Sequence, residues 1–560
     1  MKNLLITSLL CIVPATCLAQ LTPAQKISDF RVLVGHYDKY YAPYEWKKQL
    51  FNFDALLITP WLDRVAKTTN DLDFYELCVE YVSNLNDTHD AFTMPSDFVA
   101  RLGFTTDLYD NKLLVDSINR TQLPAAQFPI FTGDELVSID GVSAEQLLND
   151  FSKYGRQGNP RSTRRLTAAR ITARPQSFEP HAPDVGDSAT VVLRTVADGT
   201  LNTFIIPWVK TGTPLTVGPV PDPSAMIAGK SPAAAASEGD DPAPDYMLPL
   251  MEIQHSGVSE SGLNGYGSRT PIFGLPAGFV QRRGTVAADF FYSGTFTAGG
   301  YKIGYLRIPN YAPPSTTSAL AELDGEIAYL QANTDGLVVD EMRNTGGNLC
   351  FGENVMTRLA TGPFQSTSYL IRVYYGRLVG YYNALQAAKS AGADQWIIDT
   401  YQALLDEMTS AYNENRGLTG PLPICTASIT RYPSAVTYTK PVMMMIDEFS
   451  TSTADSVPSM FQDAGRGPIF GWRSNGAGGN NTTLFSGAYS EGLEGMTLAL
   501  QVRPKMISTS EFPATRLIEN VGVRPDIAVD YMTRENLLQQ GRPYVNAFTA
   551  AIVDLIGKSK

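Results

Sequence analysis

Cysteine and histidine are scarce in this chain of 560 residues, with five of the first and four of the second. Cys11 and Cys17 fall within the first 19 residues, which leaves Cys78, Cys350 and Cys425 spread over the rest. An odd, widely spaced set is no disulfide framework. One bridge is compatible with it, but buried free thiols are the expectation. The histidines His36, His89, His181 and His255 are scattered, and neither Cys-x-x-Cys nor His-Glu-x-x-His occurs. No metal site or other cofactor is expected, and there is no phosphate loop or dinucleotide fingerprint. Positive charge is short too: 44 basic against 56 acidic residues give a net charge of −12. With no overall positive field to gather phosphates, nucleic acid is not an expected partner.

Long apolar runs are also missing. Beyond the N-terminus no segment offers roughly 18 uninterrupted apolar residues, so no membrane insertion is expected. The N-terminus itself opens on Met1-Lys2-Asn3, continues through the apolar 4–13 and closes on Cys17-Leu18-Ala19. It reads as a signal peptide over residues 1–19, cleaved after Ala19. A lipoprotein signal at Cys17 would call for a Leu and small residues ahead of it, where Pro14-Ala15-Thr16 stands instead. The mature protein is expected to be exported, periplasmic or extracellular.

The length suits roughly three or four domains, and the pattern divides the chain accordingly. Residues 20–97 carry Phe30, Leu33, Val34 and Tyr37, then Leu72, Phe74, Leu77 and Val82, at helical spacing. They read as an N-terminal helical domain. From 98 to 210 short alternating strands take over, with turns at Gly133-Asp134 and Asp140-Gly141 and a helix over 143–151. This is a β-rich module whose order resembles a PDZ domain. Residues 211–270, rich in Pro, Ala, Gly and acid, read as a mobile linker placed to lie across a site in a latent form. Residues 271–545 read as an α/β core. Strand 301–308, helix 317–333 and strand 336–340 make a parallel βαβ unit. After a helical insertion at about 370–432, strand 442–447, helix 452–464 and strand 468–472 continue it. Residues 546–560 read as a C-terminal tail, and no internal repeat is seen.

Two loops in the core could carry chemistry. Strand 442–447 gives way to a helix through Asp447-Glu448-Phe449-Ser450-Thr451-Ser452-Thr453. A hydroxyl at such a turn leaves the sheet while the first N–H groups of the helix face a developing oxyanion; the same Ser/Thr run is also what caps a helix. Strand 336–340 runs into Glu341-Met342-Arg343-Asn344-Thr345-Gly346-Gly347-Asn348. Its glycines let a substrate backbone approach closely and offer N–H donors, although alone it is an ordinary tight turn. Ends of two parallel strands meet at one edge of the sheet, where open α/β sheets place their sites.

These loops resemble the tail-specific (C-terminal processing) protease family. Residues 340–347 resemble the family's Asp-Leu-Arg-x-Asn-x-Gly-Gly with one extra residue before Arg343. Residues 450–455 resemble Ser-Ala-Ser-Ala-Ser-Glu, which sets the catalytic serine on Ser452, and Gln462-Asp463-Ala464-Gly465-Arg466 matches the Gln-Asp-x-Gly-Arg that follows. The general-base lysine of most bacterial members is replaced by Ala477, so a Ser/Lys dyad is not expected. Asn86-Asp87-Thr88-His89-Asp90 and the segment 519–526, Glu-Asn-Val-Gly-Val-Arg-Pro-Asp, are similar instead to a Ser-His-Glu branch that includes the chlamydial protease-like activity factor and the tricorn core protease.

The resemblance covers most of 75–545, excluding the linker and the insertion. It implies a ClpP/crotonase-like core of ββα units behind the PDZ-like module. It also implies a serine endopeptidase with Ser452 as nucleophile, His89 as base and Glu519 orienting the imidazole, with Glu491 and Glu511 as competing carboxylates. Oxyanion donors would be the N–H of Thr453 and of Gly346 or Gly347. Protein or peptide substrates are the implied partners, and a homodimer is left open. The alternative is a non-catalytic ligand- or peptide-binding protein on the same fold, against which a complete Ser452, His89, Glu519 set argues.

Overall fold

The structure is a computed structural model describing residues 20–216, 243–257 and 265–559. The expected signal peptide, and residues 217–242 and 258–264 of the expected linker, lie outside the described residues.

Four helices open the chain: Pro23–Tyr40, Tyr44–Phe51, Thr59–Val65 and Asp71–Ser83. The first is set by Thr22 and Gln25, which cap each other's backbone, with Pro at its start, and the last by the Asn70 side chain accepting from Asp73 N–H. Their apolar stripes meet around Phe30, Tyr37, Phe74 and Tyr81, but the same cluster takes in Met496 and Leu498 from far along the chain. The helical part is thus built onto the core.

The β-rich module is an antiparallel sheet in the order Phe104–Tyr109, Lys112–Ile118, Glu135–Ile139, Ser188–Arg194, Leu201–Pro207. Helix Pro160–Thr172 packs across it and faces the core on its other side. There the fully buried Arg165 guanidinium pairs with Asp107 of the module (2.6 Å) and with Glu448 of the core (2.9 Å). Ser162 Oγ also donates to the Glu448 carbonyl, and Asn159 Nδ2 to that of Ser474 (3.1 Å).

A seven-stranded sheet forms the core, in the order Val280–Arg283, Tyr292–Ala298, Tyr301–Arg307, Gly336–Asp340, Val442–Ile446, Ile469–Gly471, Ile527–Ala528. From Tyr301–Arg307 onward every pairing is parallel. The helix Thr316–Asn333 makes the expected crossover. Strands Gly336–Asp340 and Val442–Ile446 are adjacent and buried at every position, which is why both read as continuous apolar runs. Helices Tyr375–Ala391 and Gln395–Asn413 form the insertion.

Three expectations are corrected. Residues 546–558, expected in a tail, are instead the greater part of the helix Arg542–Lys558, which buries Phe548, Ile552 and Ile556 against the sheet. Its apolar spacing continues a pattern begun before 546. Residues 243–257 of the linker are ordered as helix Leu248–Gln254 and strand His255–Gly257, because Leu250 and Ile253 are fully buried. The averaged Pro/Ala/acid composition of 211–270 hid that short apolar stretch. Finally, Cys350 and Cys425 are not free thiols but a disulfide 75 residues apart, joining the core helix Leu349–Thr357 to the loop after the insertion helices. Nothing in the spacing reveals this, since it depends on the insertion returning to its point of departure. Cys78 is a buried free thiol, as expected.

Candidate active site

Both loops lie at the carboxyl ends of adjacent parallel strands and are tied together by hydrogen bonds. Thr451 N–H donates to Asn344 O (3.0 Å), Ser450 Oγ to Glu341 O (2.8 Å) and Thr453 Oγ1 to Gly347 O (2.9 Å). Ser452 sits between strand Val442–Ile446 and helix Thr453–Asp463 with φ 65° and ψ −114°. A side chain with a Cβ adopts that conformation only when its surroundings enforce it, at a cost on the order of 1–3 kcal/mol. It is the geometry of a sharp strand-to-helix turn that lifts a nucleophile clear of the sheet.

What enforces it is Asp455, one turn into the helix. Its Oδ2 accepts the N–H of Ser452 (2.8 Å) and of Ala477 (3.0 Å); its Oδ1 accepts the N–H of Gly476 (2.9 Å) and the hydroxyl of Ser474. Burial pushes this carboxyl up to about 6, against the pull of those donors. The signal for it was readable, since an acid three residues after a serine at a helix start is the capping-box spacing.

His89 comes from the turn between helix Asp71–Ser83 and strand Phe92–Thr93. Asp87 Oδ1 accepts its backbone N–H (3.0 Å), and Thr88 Oγ1 donates to Asn475 Oδ1 (2.5 Å), so the turn is pinned beside the loop 474–480. The imidazole Nε2 lies 3.1 Å from Ser452 Oγ. Both residues are buried. His36 pairs with Glu494 and His181 with Asp184, away from this point.

Glu519 lies on the turn after strand Thr515–Leu517, against the loop 474–480. Its carboxylate accepts the N–H of Gly478 (2.9 Å) and forms an ion pair with Lys47, whose Nζ also donates to Asn86 O (2.8 Å) and lies 3.8 Å from Asp87. Burial drives the Glu519 carboxyl upward and Asp87 adds to it, while Lys47 and the Gly478 N–H oppose them. Lys47 had no sequence signal: it lies inside an aromatic helix (Tyr-Glu-Trp-Lys-Lys-Gln-Leu-Phe) far from every motif. Of the competing carboxylates, Glu511 pairs with Arg524 at the surface (3.1 Å) and Glu491 lies beside Tyr75.

The glycine loop provides the remaining wall. Gly346 N–H donates to Asn344 Oδ1 (2.9 Å), and strand Gly346–Asn348 pairs antiparallel with His255–Gly257, Ser256 facing Gly347. A stretch of the chain itself therefore runs along the strand beside Ser452. Among the described residues no His/Cys/Asp/Glu group is arranged to hold a metal ion, and no helix is long and apolar enough to cross a membrane.

Residues 302–529 match the model of Peptidase family S41. The chain carries a serine peptidase domain of that family. The matched span contains Gly346, Gly347, Ser452, Thr453 and Glu519, and His89 lies ahead of it. Over nearly its whole length the peptidase shares its fold with solved structures of mature CPAF. One gives a TM-score of 0.74 at 20% identity, covering 96% of this chain and 98% of that one; a complex with lactacystin gives 0.73 at 20%, covering 96% and 99%. In sequence the peptidase is similar to a protein of Chlamydia pneumoniae, 23% identical across 96% of this chain and 91% of that protein. It is also similar to one of Chlamydia trachomatis serovar D, 21% identical across 92% and 90%.

Proposed function

We propose that the protein is an exported serine endopeptidase in which Ser452 attacks the substrate carbonyl, His89 takes its proton and Glu519 orients and stabilises the imidazolium. The observation that carries this reading is the 3.1 Å approach of His89 Nε2 to Ser452 Oγ at a strained turn. Thr453 N–H, at the start of its helix, is one oxyanion donor. The family resemblance gives the second to the glycine loop, at Gly346 or Gly347. The β-rich module, docked on the nucleophile loop through Arg165 and Ser162, is read as a PDZ-like substrate-recognition module. Export rests on the sequence 1–19 and places the protein in a periplasm or outside the cell.

The backbone pairing of His255–Gly257 with Gly346–Asn348 supports a latent state, since an extended substrate would add to the same strand. Labelling with a fluorophosphonate probe tests the chemistry. The full chain should label and cleave an unfolded protein substrate, faster once nicked near 255–257, and Ser452→Ala should do neither. Equal cleavage by the two proteins would refute the assignment.

A further inference from the structure

Beside the site, a cavity of about 400 Å³ opens between the helix Leu248–Gln254 and the insertion helix Tyr375–Ala391. Its walls are Met251, Tyr374 and Tyr381, and at its base lies Arg377, 6% exposed. A guanidinium so buried ordinarily has its donors met. Here Nε donates to Tyr374 Oη (3.3 Å) and Nη2 faces a Glu252 carboxylate oxygen at 3.7 Å, too long for a hydrogen bond, while Nη1 has no partner among the described residues. Glu252 stands just upstream of the strand that lies along Gly346–Asn348, and its carbonyl accepts from Asn480 Nδ2 (3.3 Å), on the loop that also supplies Gly478 to Glu519. The Asn480 amide oxygen is likewise buried without a partner.

We infer that Arg377 and the cavity around it form a subsite for an acidic side chain of the peptide substrate, upstream of the residue that pairs with Gly347. The inference rests on the peptidase reading. The chain's own Glu252 occupies the mouth of this subsite without satisfying it. A substrate segment that displaces His255–Gly257 from the glycine strand would bring its own carboxylate to Nη2 in the place of Glu252, within reach of the charge-assisted hydrogen bond that Glu252 misses. Tyr374 and Tyr381 line the cavity and lie beside the guanidinium. The net charge of −12 gives acidic peptides no long-range attraction, so selection falls to this one contact.

Paired fluorogenic peptides differing only by Glu or Gln at one scanned position, cleaved by the full-length protein, test the subsite. At one position kcat/KM should favour Glu by about tenfold or more, as a buried charged contact implies. Arg377→Gln should bring the ratio near one, Arg377→Glu should turn the preference toward Lys, and Arg377→Lys should retain part of it, which guards against a folding defect. A wild-type ratio near one at every position, or an acidic preference surviving in Arg377→Gln, overturns the subsite. Absence of any Ser452-dependent cleavage overturns the peptidase reading and the subsite with it.

Discussion

His89 Nε2 and Ser452 Oγ lie 3.1 Å apart although 363 positions separate them in the chain. The two are delivered by different parts of the molecule, a turn after the N-terminal helices and a strained turn at the end of a core strand. Neither turn has a structural need for the other's side chain. A base within hydrogen-bond reach of a serine held in a costly backbone conformation is what nucleophilic catalysis requires.

Ser452→Ala and His89→Ala should each lower kcat/KM by about a thousandfold or more, with residual turnover supplied by the oxyanion donors. Because φ at 452 is positive, Ser452→Gly should melt higher than Ser452→Ala even though glycine loosens the unfolded chain. Calorimetry on the two variants reads this out, and a lower melting temperature for the glycine variant would count against strain at the turn.

Lys47 meets Glu519, Asp87 and the Asn86 carbonyl, so removing its charge leaves two buried carboxylates facing one another. Lys47→Met should destabilise the protein by about 3–5 kcal/mol, the usual effect of breaking a buried pair. It should also shift the pH–rate profile, because the Glu519 carboxyl loses its main counter-charge. Lys47→Arg should restore most of the profile. An unchanged profile in Lys47→Met, with only stability lost, would make Lys47 a structural residue.

The Asp455 carboxyl, normally near 3.8, titrates in the folded protein at about 6. The native state therefore holds this proton more tightly than the unfolded chain does. Its contribution to stability is complete below 3.8, worth on the order of 3 kcal/mol there, and is lost as pH rises through about 6. Activity should move the opposite way, since the protonated acid no longer accepts from Ser452, Gly476 and Ala477 together. Turnover should fall below about pH 6 while unfolding by denaturant shows this group resisting. Asp455→Asn should lose both trends.

Leu250 anchors the helix that leads into His255–Gly257. Leu250→Asp would bury an unpaired carboxylate, so the helix should lift away from the core and uncover the glycine strand. The initial rate of the intact chain on a short peptide should rise several-fold. A rate equal to or below that of the unmodified chain would argue against latency.

Much of the core was legible because its strands are buried on both faces and its loops are short. Gly336–Asp340, Val442–Ile446 and the helix between 316 and 333 stand out as apolar runs and periodic spacing. Ser452, Gly346 and Gly347 were reached only through the resemblance of their loops to a family, because a Ser/Thr run at a helix start is equally what caps a helix. What escaped were partners set by three-dimensional return of the chain. Lys47 sits in an ordinary helix and acquires meaning only when Glu519 folds over it. Cys350 and Cys425 meet because two long helices double back. Leu250 and Ile253 were diluted by the proline- and alanine-rich stretch ahead of them.

The sharing of Met496 and Leu498 with the N-terminal helices makes the order of synthesis matter. The turn bearing His89 is made early, but its setting is completed by residues near 496 and by Glu519, and the sheet is closed by a helix ending at Lys558. A growing chain emerging N-terminus first carries His89, the proposed proton acceptor, for more than 350 residues before Ser452 is made. Chains terminated ahead of Glu519 would therefore lack part of the proposed site, and its assembly waits on segments made hundreds of residues after His89.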